Sequence, residues 1–328
     1  MPDGESDGFM AARIMASAGP RTQLSRACDR ALMADLVRRV PCSEHVDLRG
    51  LRHRLMWWGP RTDNPVVLLH GWMDCSETWQ FLVDCLPDDW SCVALDWRGF
   101  GGTQWPQGGY WFADYFADLE ALLQAVCPDA AARLIAHSMG GNVASMYGGM
   151  RPKRIEWLVN LEGIGLPRTS PDQAPERYVE WLDQIKHPLR ERRYATLDVL
   201  AEFLVARNPG MPRERAEFLA RAWSRQEQRD GKSAISLGFD PRHRNVSPVL
   251  FRREEAEALW RRFEAPVLLF LAELSEVRGR VGADGTEEYF HSLFRDLRIV
   301  TLPGVGHMMH IEAPESIARH ILEFVRAR

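Results

Sequence analysis

Short apolar runs alternate along this chain with stretches of helical character, and this alternation constrains the fold more than any other feature. The runs lie at residues 65–69, 91–95, 133–136, 155–161, 266–271 and 298–302. Helical patterns occupy residues 76–86, 111–126, 140–149, 284–294 and 314–327. Continuous apolar runs are typical of strands buried on both faces of a sheet. The chain is therefore predicted to form an α/β fold, with a mostly parallel central sheet and helices on both faces. Two further strands, 44–48 and 52–58, are predicted to pair.

The alternation is interrupted between residues 161 and 266, where the sequence shows no convincing buried strand. Apolar side chains recur there at helical spacing instead, as at Tyr178, Trp181, Leu182 and Ile185. We interpret residues 165–261 as a helical cap inserted before the last strands, with apolar stripes that pack in its core and against the sheet. Residues 26–164 and 262–328 then form the core domain. Residues 1–25 show no clear pattern and are interpreted as a flexible segment or a strap, while 28–39 are predicted to form a short helix.

The charge balance excludes several classes of protein. Lysine and arginine number 41 against 45 aspartate and glutamate, which gives a formal net charge of −4. This balance supplies neither a field for nucleic acid nor a basic patch for a membrane surface. No apolar stretch reaches the length that a bilayer span requires. We therefore expect a small-molecule partner, no nucleic acid and no membrane span. The sequence indicates no oligomeric state.

The cysteines and the N-terminus indicate a reducing compartment. None of the six cysteines forms a C-x-x-C pair, and all lie in the first half of the chain. This spacing favours free thiols over disulfides or a metal site. The first residues carry Asp3, Glu5 and Asp7, whereas a signal peptide begins with positive charge. We therefore expect a cytoplasmic protein.

Ser138 is the first candidate for a reactive side chain. It stands between the apolar run that ends at Ala136 and a helix rich in small residues, including Gly140 and Gly141. A strand, a sharp turn with small flanking residues and a helix are the context that a nucleophile elbow requires. The usual spelling is G-x-S-x-G, and Ala136 replaces the first glycine here. A serine that only caps the helix is the structural alternative.

Three further motifs follow predicted strands in an order that supports this interpretation. His70-Gly71-Trp72 comes after one strand and can aim a backbone N–H at a reaction centre. Asp96-Trp97-Arg98-Gly99-Phe100-Gly101 forms a glycine-rich turn whose charges are expected to brace the loop. Pro303-Gly304-Val305-Gly306-His307 follows the last strand and places an imidazole at the carboxyl edge of the sheet. A serine, a histidine that takes its proton and prealigned N–H donors are what acyl transfer needs.

With these motifs the chain resembles the α/β-hydrolase fold superfamily from about residue 44 to the C-terminus. The stretches LLHGWMDCSETWQ and LDWRGFG are most similar to cap-bearing bacterial serine esterases. The resemblance implies that Ser138 is the nucleophile and His307 the general base. It also implies that the backbone N–H groups of Trp72 and Met139 form the oxyanion hole. A serine nucleophile argues against haloalkane dehalogenases and epoxide hydrolases, which need a carboxylate there.

The acid that orients the histidine departs from the family pattern. The family most often places an aspartate after the strand that follows the cap, and Ser275 stands there. Glu276, one residue further, is one alternative, and Glu273 is another. Glu162 is also a candidate, because it ends the preceding strand between an apolar run and a glycine, where a carboxylate is costly to bury without a partner. We prefer Glu162, take Glu276 as the alternative and rank Glu273 third.

The sequence therefore predicts a serine hydrolase that cleaves a carboxylic ester or related acyl substrate through an acyl-enzyme, without a cofactor. The alternatives are a carbon–carbon bond hydrolase, a lactonase or a non-catalytic ligand receptor of the same fold. His307 and His310 form an H-x-x-H pair, but no neighbouring residue in sequence completes a zinc set, so no metal is expected. The candidates for lining the substrate pocket are His137, Asp74, Trp181 and Trp223.

Overall fold

The computed structural model describes residues 36–189, 191–229 and 232–328. The strands are β1 (Cys42–Leu48), β2 (Leu51–Trp58), β3 (Val66–Leu69), β4 (Cys92–Leu95), β5 (Ala132–His137), β6 (Ile155–Leu161), β7 (Arg193–Tyr194), β8 (Ser224–Arg229), β9 (Lys232–Leu237), β10 (Val267–Ala272) and β11 (Leu297–Leu302). The helices are α1 (Gln80–Cys85), α2 (Phe112–Val126), α3 (Met139–Met150), α4 (Ala174–Lys186), α5 (Leu197–Arg207), α6 (Arg213–Ala222), α7 (Arg253–Trp260), α8 (Val277–Val281), α9 (Glu287–His291), α10 (Met309–Glu312) and α11 (Pro314–Arg326). The predicted segment 1–25 and most of the predicted helix 28–39 lie outside the described residues.

The central sheet has eight strands in the order β1-β2-β4-β3-β5-β6-β10-β11. β2 pairs antiparallel with both β1 and β4, and every other neighbouring pair is parallel. The prediction of a mostly parallel sheet is therefore confirmed. Because β3, β5, β6 and β10 are parallel neighbours, the loops that follow them meet at one carboxyl edge, where open α/β sheets bind their ligands.

Alternate side chains of the central strands enter two separate apolar cores. On β3, Val67 and Leu69 face one core, which α2, α3 and α7 complete, whereas Val66 and Leu68 face the other, which α1 and α11 complete. All four side chains are at most 4% exposed. Helices therefore cover both faces of the sheet, as a parallel sheet requires and as the sequence predicts.

The segment between β6 and β10 is not purely helical. Besides α4, α5, α6 and α7 it contains a small antiparallel sheet in the order β7-β9-β8. The expectation that this segment holds helices alone is therefore wrong. Leu200 on α5 and Leu219 on α6 are fully buried in a third apolar cluster. Phe81 and Ile311 of the sheet domain belong to the same cluster, so the segment packs directly onto the sheet domain.

The apolar stripe of α4 does not pack as predicted. Tyr178, Leu182 and Ile185 are each about half exposed, and none of the residues of α4 is buried. The expectation that this stripe forms part of a core is wrong, although its helix is present. Across the part of the chain that the structure describes, none of the helices combines the length and apolar character that a bilayer span requires.

Candidate active site

Ser138 sits on a strained turn at the carboxyl edge of the sheet. It follows β5 directly and precedes the first residue of α3, with φ 50° and ψ −113°. Positive φ is unfavourable for a residue with a side chain and persists only where the surroundings hold it. The Ser138 N–H donates to the carbonyl oxygen of Leu161 on β6 at 2.9 Å, which helps to fix the turn. The serine side chain is half-buried and thus accessible at this edge.

Glycines allow this turn to pack tightly against its neighbours. A Cβ on Gly140 would overlap the backbone carbonyl groups of Leu69 and His70, where β3 ends. A Cβ on Gly71 would lie 3.2 Å from the Cβ of Ser138 and 2.9 Å from Nδ1 of His137. The loops after β3 and β5 therefore touch through glycine, as the small residues around the serine predicted.

His307 and Glu162 are joined by a short hydrogen bond. Nδ1 of His307 lies 2.7 Å from Oε2 of Glu162, and the second carboxylate oxygen accepts the backbone N–H of Ala272 at 2.9 Å. Glu162 is 1% exposed, while the imidazole of His307 is 30% exposed. Since Nδ1 carries the hydrogen toward the carboxylate, Nε2 of His307 is the basic nitrogen.

The turn that carries Glu162 is built by its neighbours in sequence. Glu162 has a φ of 54°. The Asn160 side chain closes the turn, because it accepts the Gly163 N–H at 2.6 Å and donates to the Gly163 carbonyl at 2.9 Å. A Cβ on Gly163 would overlap the backbone of Gly141 at the start of α3. Asn160 and Gly163 were missed by the sequence analysis, although the stretch Asn-Leu-Glu-Gly ends in a glycine.

The two other acid candidates lie elsewhere. Glu276 is 81% exposed in its side chain and binds the guanidinium of Arg280 at 2.7 Å. Glu273 accepts the backbone N–H of Gly304 at 2.7 Å and so braces the loop that leads to His307. The structure therefore brings Glu162 to His307 and does not bring Glu276 or Glu273 to it.

The loop after β3 carries Trp72 and is held by a buried histidine. Nε2 of His70 accepts the Trp97 N–H at 3.0 Å, and its Nδ1–H donates to the carbonyl of Gly71 at 2.7 Å. Burial lowers the pKa of His70 to about 4, so this ring is neutral and structural. Trp72 is 50% exposed beside it, and Met139 begins α3 with a backbone N–H in the first turn, where helix N–H groups lack partners.

The glycine-rich turn after β4 braces the same loop. Asp96 is fully buried and accepts hydrogen bonds from the backbone and hydroxyl of Ser76, at 2.7 and 2.6 Å, and from Gly102 N–H at 2.7 Å. Burial alone would raise the pKa of Asp96, but the adjacent Arg54 guanidinium lowers it below its usual value. The carboxylate therefore remains charged and ties together the segments that follow β3 and β4.

His137 lies behind His307 and is buried. Its Nε2–H donates to the backbone carbonyl of His307 at 2.9 Å, and the two ring centroids are 4.6 Å apart. His137 connects Ser138, its neighbour in the chain, with the loop that carries His307. The hydroxyl of Ser138 itself makes no hydrogen bond within the described ranges, and catalytic hydrogen bonds often tighten only when substrate is bound.

Asp74 and His310 lie next to His137 in a buried layer. Asp74 is 5% exposed and His310 is fully buried. Burial raises the pKa of Asp74 to about 8 and lowers that of His310 to about 3. A carboxylate oxygen of Asp74 and one ring nitrogen of each histidine lie within 4.8 Å of one another, so these residues could hold a metal ion. This group contains His310 but not His307, so it is not the H-x-x-H pair of the sequence analysis.

Two of the four predicted pocket residues are buried, and the two tryptophans differ in their distance from the site. His137 and Asp74 present almost no surface to solvent. Trp223 follows α6 and donates its indole N–H to Oδ1 of Asp74 at 3.0 Å, so it reaches this layer from the inserted segment. Trp181 is half-buried on α4, and no described hydrogen bond or ring contact joins it to the site.

Comparison with known proteins adds independent information. The sequence profile described as "alpha/beta hydrolase fold" matches residues 64–314. A serine hydrolase-like protein of Danio rerio is 29% identical over 277 residues, covering 82% of this chain and 83% of the relative. A bifunctional esterase/perhydrolase of Acinetobacter calcoaceticus is 25% identical over 284 residues, covering 82% and 94%. A crystal structure of a hypothetical protein from Pseudomonas aeruginosa PAO1 superimposes with a TM-score of 0.75 at 27% identity, covering 87% of this chain and 99% of that one.

Proposed function

The chain belongs to the α/β-hydrolase fold family and is a serine hydrolase, and from this premise we propose that it cleaves carboxylic esters through an acyl-enzyme intermediate. In this proposal Ser138 is the nucleophile, His307 the general base and Glu162 the acid that orients the imidazole. The backbone N–H groups of Trp72 and Met139 bind the oxyanion. Together these groups supply the nucleophile, the proton carrier and the oxyanion donors of the reaction.

One observation carries the proposal: the 2.7 Å hydrogen bond between His307 and the buried carboxylate of Glu162, at the edge where Ser138 stands on a strained turn. A carboxylate that is 1% exposed is costly unless its charge is used or compensated. Here it fixes the histidine tautomer that leaves Nε2 free to accept a proton. Nucleophile, acid and base follow the order Ser, Glu, His along the chain, as in other hydrolases of this fold.

Acylation follows from these positions. The Ser138 oxygen attacks the ester carbonyl carbon while its proton passes to Nε2 of His307. The developing imidazolium is stabilised by Glu162, and the negative charge on the substrate oxygen is stabilised by two prealigned backbone N–H groups. Loss of one such donor costs about 3 kcal/mol in comparable sites. His307 then returns the proton to the departing alcohol.

Deacylation uses the same groups in reverse. A water molecule attacks the acyl carbon and gives a proton to His307, which then protonates the Ser138 oxygen as the carboxylic acid leaves. Oxygen and hydrogen balance, because the water supplies the hydroxyl of the acid and the proton that restores the serine. The net reaction is the hydrolysis of one ester bond.

We also propose that residues 165–252 act as the cap that selects the acyl group. The bound predicted at residue 261 would include α7, whose Ala256 and Trp260 lie in the core of the sheet domain. The buried contacts between this segment and the sheet domain support the proposal. Trp223 bonds Asp74, and Arg215 on α6 donates to the carbonyl of Ile311 at 2.5 Å. In this proposal the cap selects a small to medium hydrophobic acyl group. The unpaired cysteines support a cytoplasmic location, where thiols stay reduced.

The test is ester turnover with a matched serine control. Purified protein is assayed with p-nitrophenyl acetate, butyrate and octanoate, and labelled with a fluorescent fluorophosphonate. Wild type is expected to turn over butyrate repeatedly, and Ser138→Ala to lose both activity and labelling. Ser292→Ala, whose hydroxyl bonds a carbonyl on an exposed turn, is expected to retain both. Labelling without turnover on any ester would refute the esterase proposal and favour a ligand receptor.

A further inference from the structure

The buried layer behind His307 contains three potential ligand groups that arrive from separate parts of the fold. Asp74 follows β3, His137 ends β5 and His310 lies on α10. Each is at most 5% exposed, and one potential ligand atom from each lies within 4.8 Å of the others. In each residue a buried polar atom has no hydrogen-bond partner: Oδ2 of Asp74 and Nδ1 of both His137 and His310. Buried polar atoms without partners are rare and call for an explanation.

The hydrogen bonds of His137 determine which of its nitrogens is free. Its Nε2 lies 2.9 Å from the carbonyl oxygen of His307, which only accepts, so Nε2 carries the hydrogen. Burial and the neighbouring His310 lower the pKa of His137 well below its usual value, so the ring is neutral. Nδ1 therefore presents a lone pair into the layer. This is the state in which an imidazole binds a metal.

Asp74 presents a buried carboxyl group without a cationic partner in the described residues. Oδ1 accepts the backbone N–H of Cys75 at 2.8 Å and the indole N–H of Trp223 at 3.0 Å. Oδ2 lies 4.0 Å from Nε2 of His310, beyond hydrogen-bond reach, and that nitrogen lies 3.0 Å from the hydroxyl of Thr78. The ring contacts Trp79 on one side and His137 on another, which fixes its position. The layer thus combines two imidazole nitrogens and one carboxyl oxygen that are buried and have no hydrogen-bond partner.

We propose that Asp74, His137 and His310 form a binding site for a divalent transition-metal cation, with Zn²⁺ as the reference ion. Two imidazole nitrogens and one carboxylate oxygen suit zinc and its neighbours better than Mg²⁺ or Ca²⁺, which prefer oxygen ligands. Zinc binds such ligands at about 2.0–2.2 Å, so the ligand atoms must approach one another by roughly 1 Å. A bound cation would engage the unpartnered carboxyl oxygen of Asp74 and the free nitrogen of His137.

Metal binding at this site would slow hydrolysis, and this consequence rests on the proposed function. His137 donates to the carbonyl of His307, and their rings are 4.6 Å apart. A dication bound to His137 would oppose the imidazolium that forms on His307 during acylation, because like charges in a poorly solvated site repel strongly. We expect saturating Zn²⁺ to lower kcat by at least tenfold, and a chelator to restore it.

The site is tested by direct binding to full-length protein freed of metal with EDTA. Titration calorimetry with ZnCl₂ is expected to show one equivalent bound, and CoCl₂ to give a visible absorption band of a nitrogen-containing site with low coordination number. Asp74→Asn and His310→Asn are expected to weaken Zn²⁺ binding at least tenfold. His291→Asn, which removes an exposed histidine on α9, is the matched control and should bind as wild type does.

Two results would overturn the site. One is the absence of Zn²⁺ binding and of the Co²⁺ band in the wild type, which would show that the layer binds no transition metal. The other is unchanged affinity in folded Asp74→Asn and His310→Asn. If both variants fail to fold by circular dichroism, the wild-type Co²⁺ band alone decides. If the protein binds zinc but its metal-free form hydrolyses no ester, the proposed function is refuted and this site is kept. If the metal-free protein hydrolyses esters but binds no zinc, the proposed function is kept and this site is refuted.

Discussion

Replacing Glu162 by glutamine tests the proposed triad with the loss of one charge and almost no change in volume. In the wild type the carboxylate accepts two hydrogen bonds, from Nδ1–H of His307 at 2.7 Å and from the Ala272 N–H at 2.9 Å. A glutamine amide has one carbonyl oxygen and one NH₂ group. It can therefore satisfy only one of these donors, and the NH₂ group must face the other.

Both orientations of the amide are harmful. If the NH₂ group faces His307, Nδ1 must accept, so Nε2 carries the hydrogen and cannot take the proton of Ser138. If the amide is turned over, NH₂ and the Ala272 N–H face each other in a site where Glu162 is 1% exposed. An unsatisfied buried donor costs about 1–3 kcal/mol. In a comparable triad the wrong tautomer lowers kcat about 10⁴-fold, or roughly 5.5 kcal/mol. We therefore expect Glu162→Gln to lower kcat roughly 10³- to 10⁴-fold.

The assay is steady-state hydrolysis of p-nitrophenyl butyrate with the rate of fluorophosphonate labelling as a second readout. Glu276→Gln is the matched control, because Glu276 is exposed and paired with Arg280, and its kcat should stay within about twofold of wild type. KM should change little in either variant, since the substitution acts on proton transfer. A Glu162→Gln enzyme that keeps more than about a tenth of the wild-type kcat would refute the assignment of the acid.

Three other predictions concern stability. Ser138→Gly should be about 1 kcal/mol more stable to urea than Ser138→Ala, because glycine relieves the positive φ; equal midpoints would argue against strain. Gly140→Ala should lower the free energy of unfolding by about 1–3 kcal/mol, because its Cβ meets the backbone of β3. Gly108→Ala is the control, because open space surrounds Gly108; similar thermal midpoints of the two variants would contradict the packing argument. Burial alone would raise the pKa of Asp118, but hydrogen bonds from Arg98 hold it at about 2, below the unfolded value near 3.9. The contribution of Asp118 to the free energy of unfolding is therefore present above pH 4 and should be lost as the pH falls from 4 to 2. In Asp118→Asn the free energy of unfolding should change less with pH in that window; parallel curves for the two proteins would contradict this.

The centre of the sheet was predictable because strands such as β3, β4 and β10 are buried on both faces and read as continuous apolar runs. The prediction for β6 agrees with the observed bounds. The other predicted strands of the sheet differ by one residue at one or both ends, except β1, which begins two residues earlier than predicted. The stripe on α4 shows the limit of periodicity. Spacing identifies which residues share a helix face, but it does not show what covers that face, and Tyr178 and Leu182 remain exposed.

Two features needed information that spacing does not contain. β8 is rich in polar residues, so it lacks the apolar signal of a strand, although the Asp-Gly pair at 230–231 is a common hairpin sequence. The ends of β6 and β10 lie side by side, because the strands pair in parallel, so a carboxylate after either could approach His307. Sequence order could not choose between Glu162 and Glu276. The H-x-x-H spacing likewise paired His307 with His310, whereas folding sets His310 beside His137 and Asp74.

The location of Glu162 has a consequence for how this enzyme could diversify. Ser138 and Glu162 belong to one uninterrupted stretch of chain that ends before residue 165, and only His307 comes from beyond the insertion. Exchanging residues 165–252 for a segment of different length therefore leaves α7 in the core and keeps the proposed nucleophile and its proposed acid on one intact segment. Chimeras built at this junction offer a direct route to new acyl selectivity, with a single downstream loop to realign.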